Sequence, residues 1–341
     1  MMLCHPYLVS KGGGERVVVK IAERFNARIY VCSYNKNKLW TEYQNLDVHT
    51  IKTFKPTFLG YRYSFGKLKL DADVVVPIGH PAQWTSIRNK PTLWYCCFPP
   101  YIKKEMMRYP VLPGMKLVEK KVIDKIDFVF TDSEFIQKKL WEHYKKKSEV
   151  LNPGCDVEKY YCKKYEPYFI YHSSIHPRKR FEYAIKAMHM VRKEHPDFTL
   201  KISGFPADRA YLESLRRQLG NAGEIIENPS DKQLYSLLAN AYAGLYSPMI
   251  EDYGIVPTEY MSASRAVIAV NEGGPRETVV DGKTGFLVDS AQEMAKRMIQ
   301  LIEDSAMAKR MGKVGRKRAE QKYTWEKFLK RFGEKYEELK G

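Results

Sequence analysis

Between Ser247 and Asp289 the chain carries two carboxylates, Glu251 and Glu259, on either side of a glycine turn, followed by the marks of a helix start. Carboxylate oxygens accept hydrogen bonds and do not donate, so they suit hydroxyl-rich ligands such as the vicinal diol of a ribose. Proline fits the first helical position, where an N–H would go unpaired anyway. Pro257 therefore predicts a helix from about Val256, with Gly254 in the turn that feeds it and Glu259 in the first helical turn. Bare N–H groups and the dipole at such a start favour an anion. The backbone at Gly254 and Ile255 is thus a predicted phosphate seat, with Glu259 on the ribose and Glu251 near the other end of the ligand. A phosphate flanked by two hydroxyl-binding carboxylates describes a nucleotide-sugar. A pair of glutamates on a surface helix is ordinarily just solvated; the order of the residues around this pair sets it apart.

Such residues need a scaffold that brings loops together. Apolar strand-like runs alternate with amphipathic stretches along the chain. In the first half they are Arg28–Ser33, Leu46–Ile51, Asp73–Ile78, Thr92–Cys96 and Asp127–Thr131. In the second they are Tyr168–Ser173, Phe198–Ser203, Ala243–Ser247, Ala266–Val270 and Gly285–Val288. Helical patterns between them include Glu15–Phe25, Glu182–Glu194, Asp208–Leu219 and Asp231–Asn240. This alternation predicts an α/β protein with parallel sheets. Ligands of such sheets bind outside the carboxyl ends of the strands. The chain opens on apolar residues, Met1 to Cys4, so the first strand is expected to be very short. Asn152-Pro153-Gly154 is turn chemistry followed by a polar stretch, which marks a division into two domains. Ser133 is placed to cap the helix that follows it.

The 341 residues accommodate two domains, and a hydrophobic content of 44% is ordinary for globular proteins. No run is long enough to span a bilayer and no signal-peptide pattern stands out. The six cysteines (Cys4, Cys32, Cys96, Cys97, Cys155 and Cys162) form no C-x-x-C pair, which fits structural thiols in a reducing cytoplasm. Net charge is +17, from 57 basic and 40 acidic residues, which suits phosphorylated substrates, anionic lipid or nucleic acid. No helix-turn-helix, zinc-finger or aromatic RNA-binding pattern supports the last of these, so no nucleic-acid partner is expected. Tyr101 to Lys121 interleaves basic with apolar residues, the composition of a surface that rests on an anionic membrane, although charge runs are ordinarily a solvated face. Asp71-Ala72-Asp73 has the form of a D-x-D metal motif, but it runs straight into a strand. It reads as a solvated strand start, and no metal is expected.

Glu251-Asp252-Tyr253-Gly254-Ile255-Val256-Pro257, Glu259, Met261, the Ala266 to Ala269 strand, Gly273-Gly274, Glu277 and Asp281 to Phe286 stand in an order that resembles glycosyltransferase family 4, the retaining enzymes of the GT-B fold. The resemblance implies two Rossmann-like domains facing each other across a cleft. Residues 1–151 would be the acceptor-side domain, 152–167 a linker, 168–322 the nucleotide-sugar-binding domain, and 323–341 a helix crossing back to the first domain. The activity implied is metal-independent transfer of a hexose (mannose, glucose or N-acetylglucosamine) from a nucleotide-diphosphate donor, with retention. The acceptor would be a glycan, lipid-linked or protein-linked. Many relatives use lipid-phosphate acceptors, which points to a cytoplasmic protein with peripheral membrane contact.

The family's residues carry over one at a time. Lys179 matches a lysine that neutralises the diphosphate, and with Glu251 it is the expected catalytic pair. Gly254, Ile255 and Glu259 would bind the donor. Gly12, Gly13 and Gly14 match a loop that touches the sugar-diphosphate from the first domain. The family carries an arginine five residues before the lysine; Ser174 stands there, which leaves Arg178 or Arg180 to supply that charge. Cys97 stands where a histidine is usual near the sugar, and His80 is another first-domain candidate on the sugar or acceptor side, although a lone loop histidine is ordinarily a bystander. Competing readings are a nucleotide-sugar epimerase of the same fold, a phosphorylase (for which no pyridoxal lysine can be assigned), and a basic polysaccharide- or nucleic-acid-binding protein without catalysis.

Overall fold

The computed structural model describes residues 1–53, 57–107, 111 and 113–341. Its chain divides into two units, Met1–Gly154 with Trp325–Gly341, and Cys155–Thr324.

In the first unit the strands are β1 (Met2–Leu8), β2 (Arg28–Tyr34), β3 (Val48–Thr50), β4 (Val75–Pro77), β5 (Leu93–Cys96), β6 (Phe128–Thr131) and β7 (Glu149–Val150). They form one sheet ordered β3-β2-β1-β4 and another ordered β5-β6-β7. Parallel bridges Val75–Thr92 and Ile78–Tyr95 link the two. β1 is seven residues long, not the very short strand expected, and it buries Leu3, Cys4, His5 and Leu8. Ser133 caps the helix Glu134–Tyr144 by accepting from the Ile136 amide. The final helix, Trp325–Lys340, buries Trp325, Phe328, Phe332 and Tyr336. That stripe at helical spacing packs with Val17, Val18 and Ile21 in the core of this unit. Arg331 fixes it further with an ion pair to Glu149 at 2.6 Å.

The second unit contains β8 (Tyr168–His172), β9 (Thr199–Gly204), β10 (Gly223–Glu227), β11 (Ala243–Tyr246), β12 (Ala266–Val270) and β13 (Gly285–Val288). Every pairing is parallel and the order is β10-β9-β8-β11-β12-β13. β11 and β12 are buried at every residue, as strands covered on both faces must be. The helix Phe181–Val191 covers one face with Phe181, Ala184, Ile185, Ala187, Met188 and Val191. β10 was not foreseen: its sequence, Gly-Glu-Ile-Ile-Glu, has two apolar residues between charges, and as an edge strand it is only partly buried.

In both units the chain winds outward from one strand, returns, and winds the other way. The reversal lies between β1 and β4 in the first and between β8 and β11 in the second. Loops leaving the carboxyl ends of those two strands diverge and leave a crevice, which is where such sheets bind ligands.

Candidate active site

At the reversal of the second unit, the loop after β8 carries Lys179 and the loop after β11 carries Glu251. The Lys179 Nζ lies 2.9 Å from both Glu251 oxygens, with the side chains 17% and 21% exposed. Tyr246, at the end of β11, also hydrogen-bonds Glu251, and burial with that carboxylate nearby holds its phenol well above the ordinary range. Tyr171 in β8 staples the two loops, since its hydroxyl donates to the Lys179 carbonyl and accepts from the Ser247 amide.

The two alternative arginines stand in different surroundings. Ser174 is exposed. Arg178 is exposed and its carbonyl accepts from the Met249 amide at 2.8 Å. Arg180 is already engaged: Nε donates to the Ser247 carbonyl at 2.8 Å, and a terminal nitrogen donates to the Pro248 carbonyl and to Glu272, both at 2.9 Å. The other oxygen of Glu272 accepts from the Ile250 amide at 2.7 Å. Ile250 has φ +48, a left-handed conformation that a β-branched residue adopts only when its surroundings impose it. Below this loop, a Cβ on Gly273 would come within 2.5 Å of the Glu251 carbonyl oxygen, and one on Gly274 within 2.3 Å of the Tyr253 Cα. The Gly274 amide uses that close approach to donate to the Glu251 carbonyl at 3.0 Å. Arg180, Glu272 and the two glycines thus clamp the segment that presents Glu251.

The helix after the glycine turn is Ile255–Ser262, with Gly254 as its cap at φ +89 and no capping side chain. This corrects two expectations. Pro257 is the third helical residue, not the first, which it tolerates because the third N–H of a helix also lacks an intrahelical partner. Glu259 therefore falls in the second turn. It is 6% exposed and accepts from the Tyr160 hydroxyl at 2.9 Å. The next residue, Tyr260, pins the helix to the sheet: its hydroxyl accepts from the His172 amide at 2.7 Å and donates to the Leu245 carbonyl. Gly244 makes room, since a Cβ there would meet the Tyr260 ring at 2.2 Å. The backbone at Gly254 and Ile255 consequently opens toward the same end of the sheet as Lys179.

The remaining candidates lie in the first unit. Gly12 caps the helix Gly13–Phe25. The carboxylate of Glu15 folds back over Gly12, where a Cβ would be 2.3 Å from its oxygen, and accepts from Ser10 at 2.6 Å. His80 sits in a polar group with Arg62 and Gln83. Cys97 packs against the core of that unit. All six cysteines are unpaired to one another. Among the described residues no group of three or more His, Cys, Asp or Glu side chains is set to hold a metal ion.

Sequence reasoning missed Glu272, Tyr160, Tyr246 and the clamping role of Arg180. The adjoining Gly273-Gly274 pair was the available signal, because two glycines beside a carboxylate loop mark a close backbone approach. The clamp yields a prediction. Glu272→Ala, which leaves Arg180 and the Ile250 amide short of an acceptor, should cost roughly 1–3 kcal/mol of unfolding free energy in denaturant titration. Glu272→Gln should recover part of that loss. An unchanged stability in the alanine variant would contradict the clamp.

Comparison with known proteins gives this geometry its chemical setting. The family model described as Glycosyl transferases group 1 matches residues 157–318, nearly the whole second unit. The alpha-1,3/1,6-mannosyltransferase ALG2 of Dictyostelium discoideum is 27% identical, with 96% of this chain and 95% of that protein covered. The human ALG2 is 25% identical over 96% of this chain and 93% of its own length. Among solved structures, Anabaena Alr3699/HepE in complex with UDP and glucose superposes with a TM-score of 0.84 at 17% identity, covering 99% of each chain. The sucrose-phosphate synthase of Thermosynechococcus elongatus gives 0.81 at 17% identity, again with 99% of each chain covered. The second unit is thus similar to glycosyl transferases of group 1, and over its whole length the chain shares the GT-B fold of these solved structures.

Proposed function

We propose that this chain transfers a hexose, mannose in preference to glucose or N-acetylglucosamine, from a nucleoside-diphosphate donor to a glycan with retention at the anomeric carbon. The observation that carries the reading is the meeting of Lys179 and Glu251 at the reversal of the second sheet, beside the helix start at Gly254 and Ile255. The end-to-end likeness to mannosyltransferases supports the choice of sugar. In this reading the diphosphate takes Lys179 and the Gly254–Ile255 backbone, with the exposed Arg178 adding charge nearby. Glu259, oriented by Tyr160, binds the ribose. Glu251 lies against the transferred sugar. The acceptor hydroxyl attacks C1 on the face from which the diphosphate departs; the C1–O bond to phosphate breaks, and the hydroxyl proton passes to the departing phosphate oxygen. Positive charge fixed at that oxygen lowers the barrier without a side-chain nucleophile. No metal enters this scheme, so the rate should be the same in a chelator.

Membrane contact belongs to the same proposal. Among the described residues no helix is long and apolar enough to cross a membrane. In the stretch from Tyr101 to Lys121, Arg108, Tyr109 and Leu112 lie outside the described residues. Of the rest, Met106, Leu117 and Val118 are exposed large apolar side chains, with Lys103, Lys104, Lys116, Lys120 and Lys121 in the same stretch. This composition fits the surface of an anionic bilayer. Flotation with anionic vesicles at low salt should retain the protein, and Leu117→Glu should release it; a protein that ignores such vesicles contradicts this part.

The donor site is tested by thermal unfolding with uridine, guanosine and adenosine diphosphates and their sugars. A ligand at a hundred times its dissociation constant adds about 2.7 kcal/mol. One base should raise the transition, and Glu259→Ala should abolish most of that rise. No response to any nucleotide would overturn the site.

A further inference from the structure

The first unit holds a second polar assembly that the proposed reaction leaves unused. Arg62 and Glu119 form an ion pair at 2.8 Å, with side chains 6% and 0% exposed. Glu119 also accepts from the Gln83 amide nitrogen and from the Trp84 indole, both at 3.1 Å. His80 lies between them. The Arg62 guanidinium approaches its Nε2 at 3.3 Å, and the Gln83 amide nitrogen approaches its Nδ1 at 2.7 Å. Burial, then the charge of Arg62, lowers the His80 pKa to about 3, so the ring is neutral. A neutral imidazole offers one lone pair, and two donors converge on it. Among the described residues two further atoms, Arg62 Nε and Gln83 Oε1, are buried without a hydrogen-bond partner, and the buried Tyr101 hydroxyl has Arg62 beside it. Buried polar groups are rarely left unpaired, and a cluster of them calls for an explanation.

The surroundings supply one. Phe58 stacks on His80 with ring centroids 5.6 Å apart, yet Phe58 is 56% exposed. The Tyr101 ring covers the Arg62 guanidinium at 4.9 Å and meets His80 edge-on at 6.4 Å. Tyr101 holds a left-handed backbone, φ +65, which an aromatic residue seldom adopts. An aromatic face open to solvent thus borders polar atoms that lack partners.

The donor and acceptor inventory selects the ligand. Arg62 Nε needs an acceptor and Gln83 Oε1 needs a donor. A phosphate dianion only accepts, and would leave Gln83 unmet. The charge of Arg62 is already neutralised by Glu119, His80 is neutral, and Lys104 is the further cation acting on His80. A hydroxyl both donates and accepts, and a pyranose adds an apolar C–H face to lay on an aromatic ring. We propose that Phe58, Arg62, His80, Gln83 and Tyr101 form a subsite for an uncharged pyranose of the acceptor glycan, a reading that rests on the transfer reaction proposed above.

The test uses the full chain and methyl α-D-mannopyranoside as the probe, read by saturation-transfer NMR. Wild type should saturate the glycoside. Phe58→Ala and Tyr101→Phe should weaken its binding about tenfold or more, while keeping the thermal transition and the nucleotide-sugar response of wild type. Phe58 is exposed and Tyr101→Phe removes a single oxygen, so both variants should fold. Equal glycoside binding in wild type and both variants would overturn the subsite. So would a wild type that binds a nucleotide-sugar but no glycoside, or inorganic phosphate whose 31P line broadens through the same two residues. A wild type that binds neither nucleotide-sugar nor glycoside counts against the transfer reading itself and takes the subsite with it.

Discussion

A lysine and a glutamate that stand 72 residues apart in sequence meet at the point where the second sheet reverses its winding. The rest of the candidate site is built to make that meeting possible. Lys179 follows β8 and Glu251 follows β11, two strands that are neighbours only because the chain crosses the sheet between them. Tyr171 ties their loops together, Arg180 and Glu272 hold the Glu251 segment, and Gly273 and Gly274 let backbone lie under it. The helix that carries Glu259 is aligned on the same strands by Tyr260, whose bulk the sheet accepts because residue 244 is glycine.

The pair also sets the electrostatics. The Glu251 carboxylate holds the Lys179 ammonium in a fixed position, 2.9 Å from both of its oxygens. In the proposed reaction an incoming diphosphate would compete with Glu251 for the same ammonium. The carboxylate would then lose its cation and be left for the hydroxyls of the transferred sugar. The low effective dielectric of a partly enclosed site makes such exchanges worth more than they would be in water. In the first unit the balance is struck differently. The charge of Arg62 is balanced by Glu119 and His80 is neutral, so the proposed subsite is suited to hydroxyls and not to phosphate.

Much of the fold was legible because buried parallel strands write themselves as short apolar runs. Ala266–Val270 and Gly285–Val288 are found with the expected limits, and the helix Asp231–Asn240 likewise. β10 escaped because an edge strand need not be apolar throughout, and the length of β1 escaped because His5 and Pro6 interrupt its apolar pattern. At the site, the two carboxylates and the glycine turn stand out locally, whereas the helix begins at Ile255, one residue before the expected Val256, with Pro257 third in it and not first. Proline marks a helix's first turn without fixing the position within it. The clamp was illegible for a different reason. Arg180 reaches carbonyls 67 and 68 residues ahead and a carboxylate 92 residues ahead, and nothing in local periodicity reports such contacts. The same holds for Gln83 and Glu119, which a sequence shows only as isolated polar residues near apolar ones.

The most direct measurement is calorimetric titration of guanosine and uridine diphosphates into wild type and Glu251→Gln. If Lys179 must leave Glu251 to receive the diphosphate, removing that negative charge should tighten binding of the preferred nucleotide about tenfold, although the variant has lost a group assigned to the site. Unchanged or weaker binding in Glu251→Gln would contradict the exchange at Lys179, and with it the assignment of this pair as the centre of the donor site.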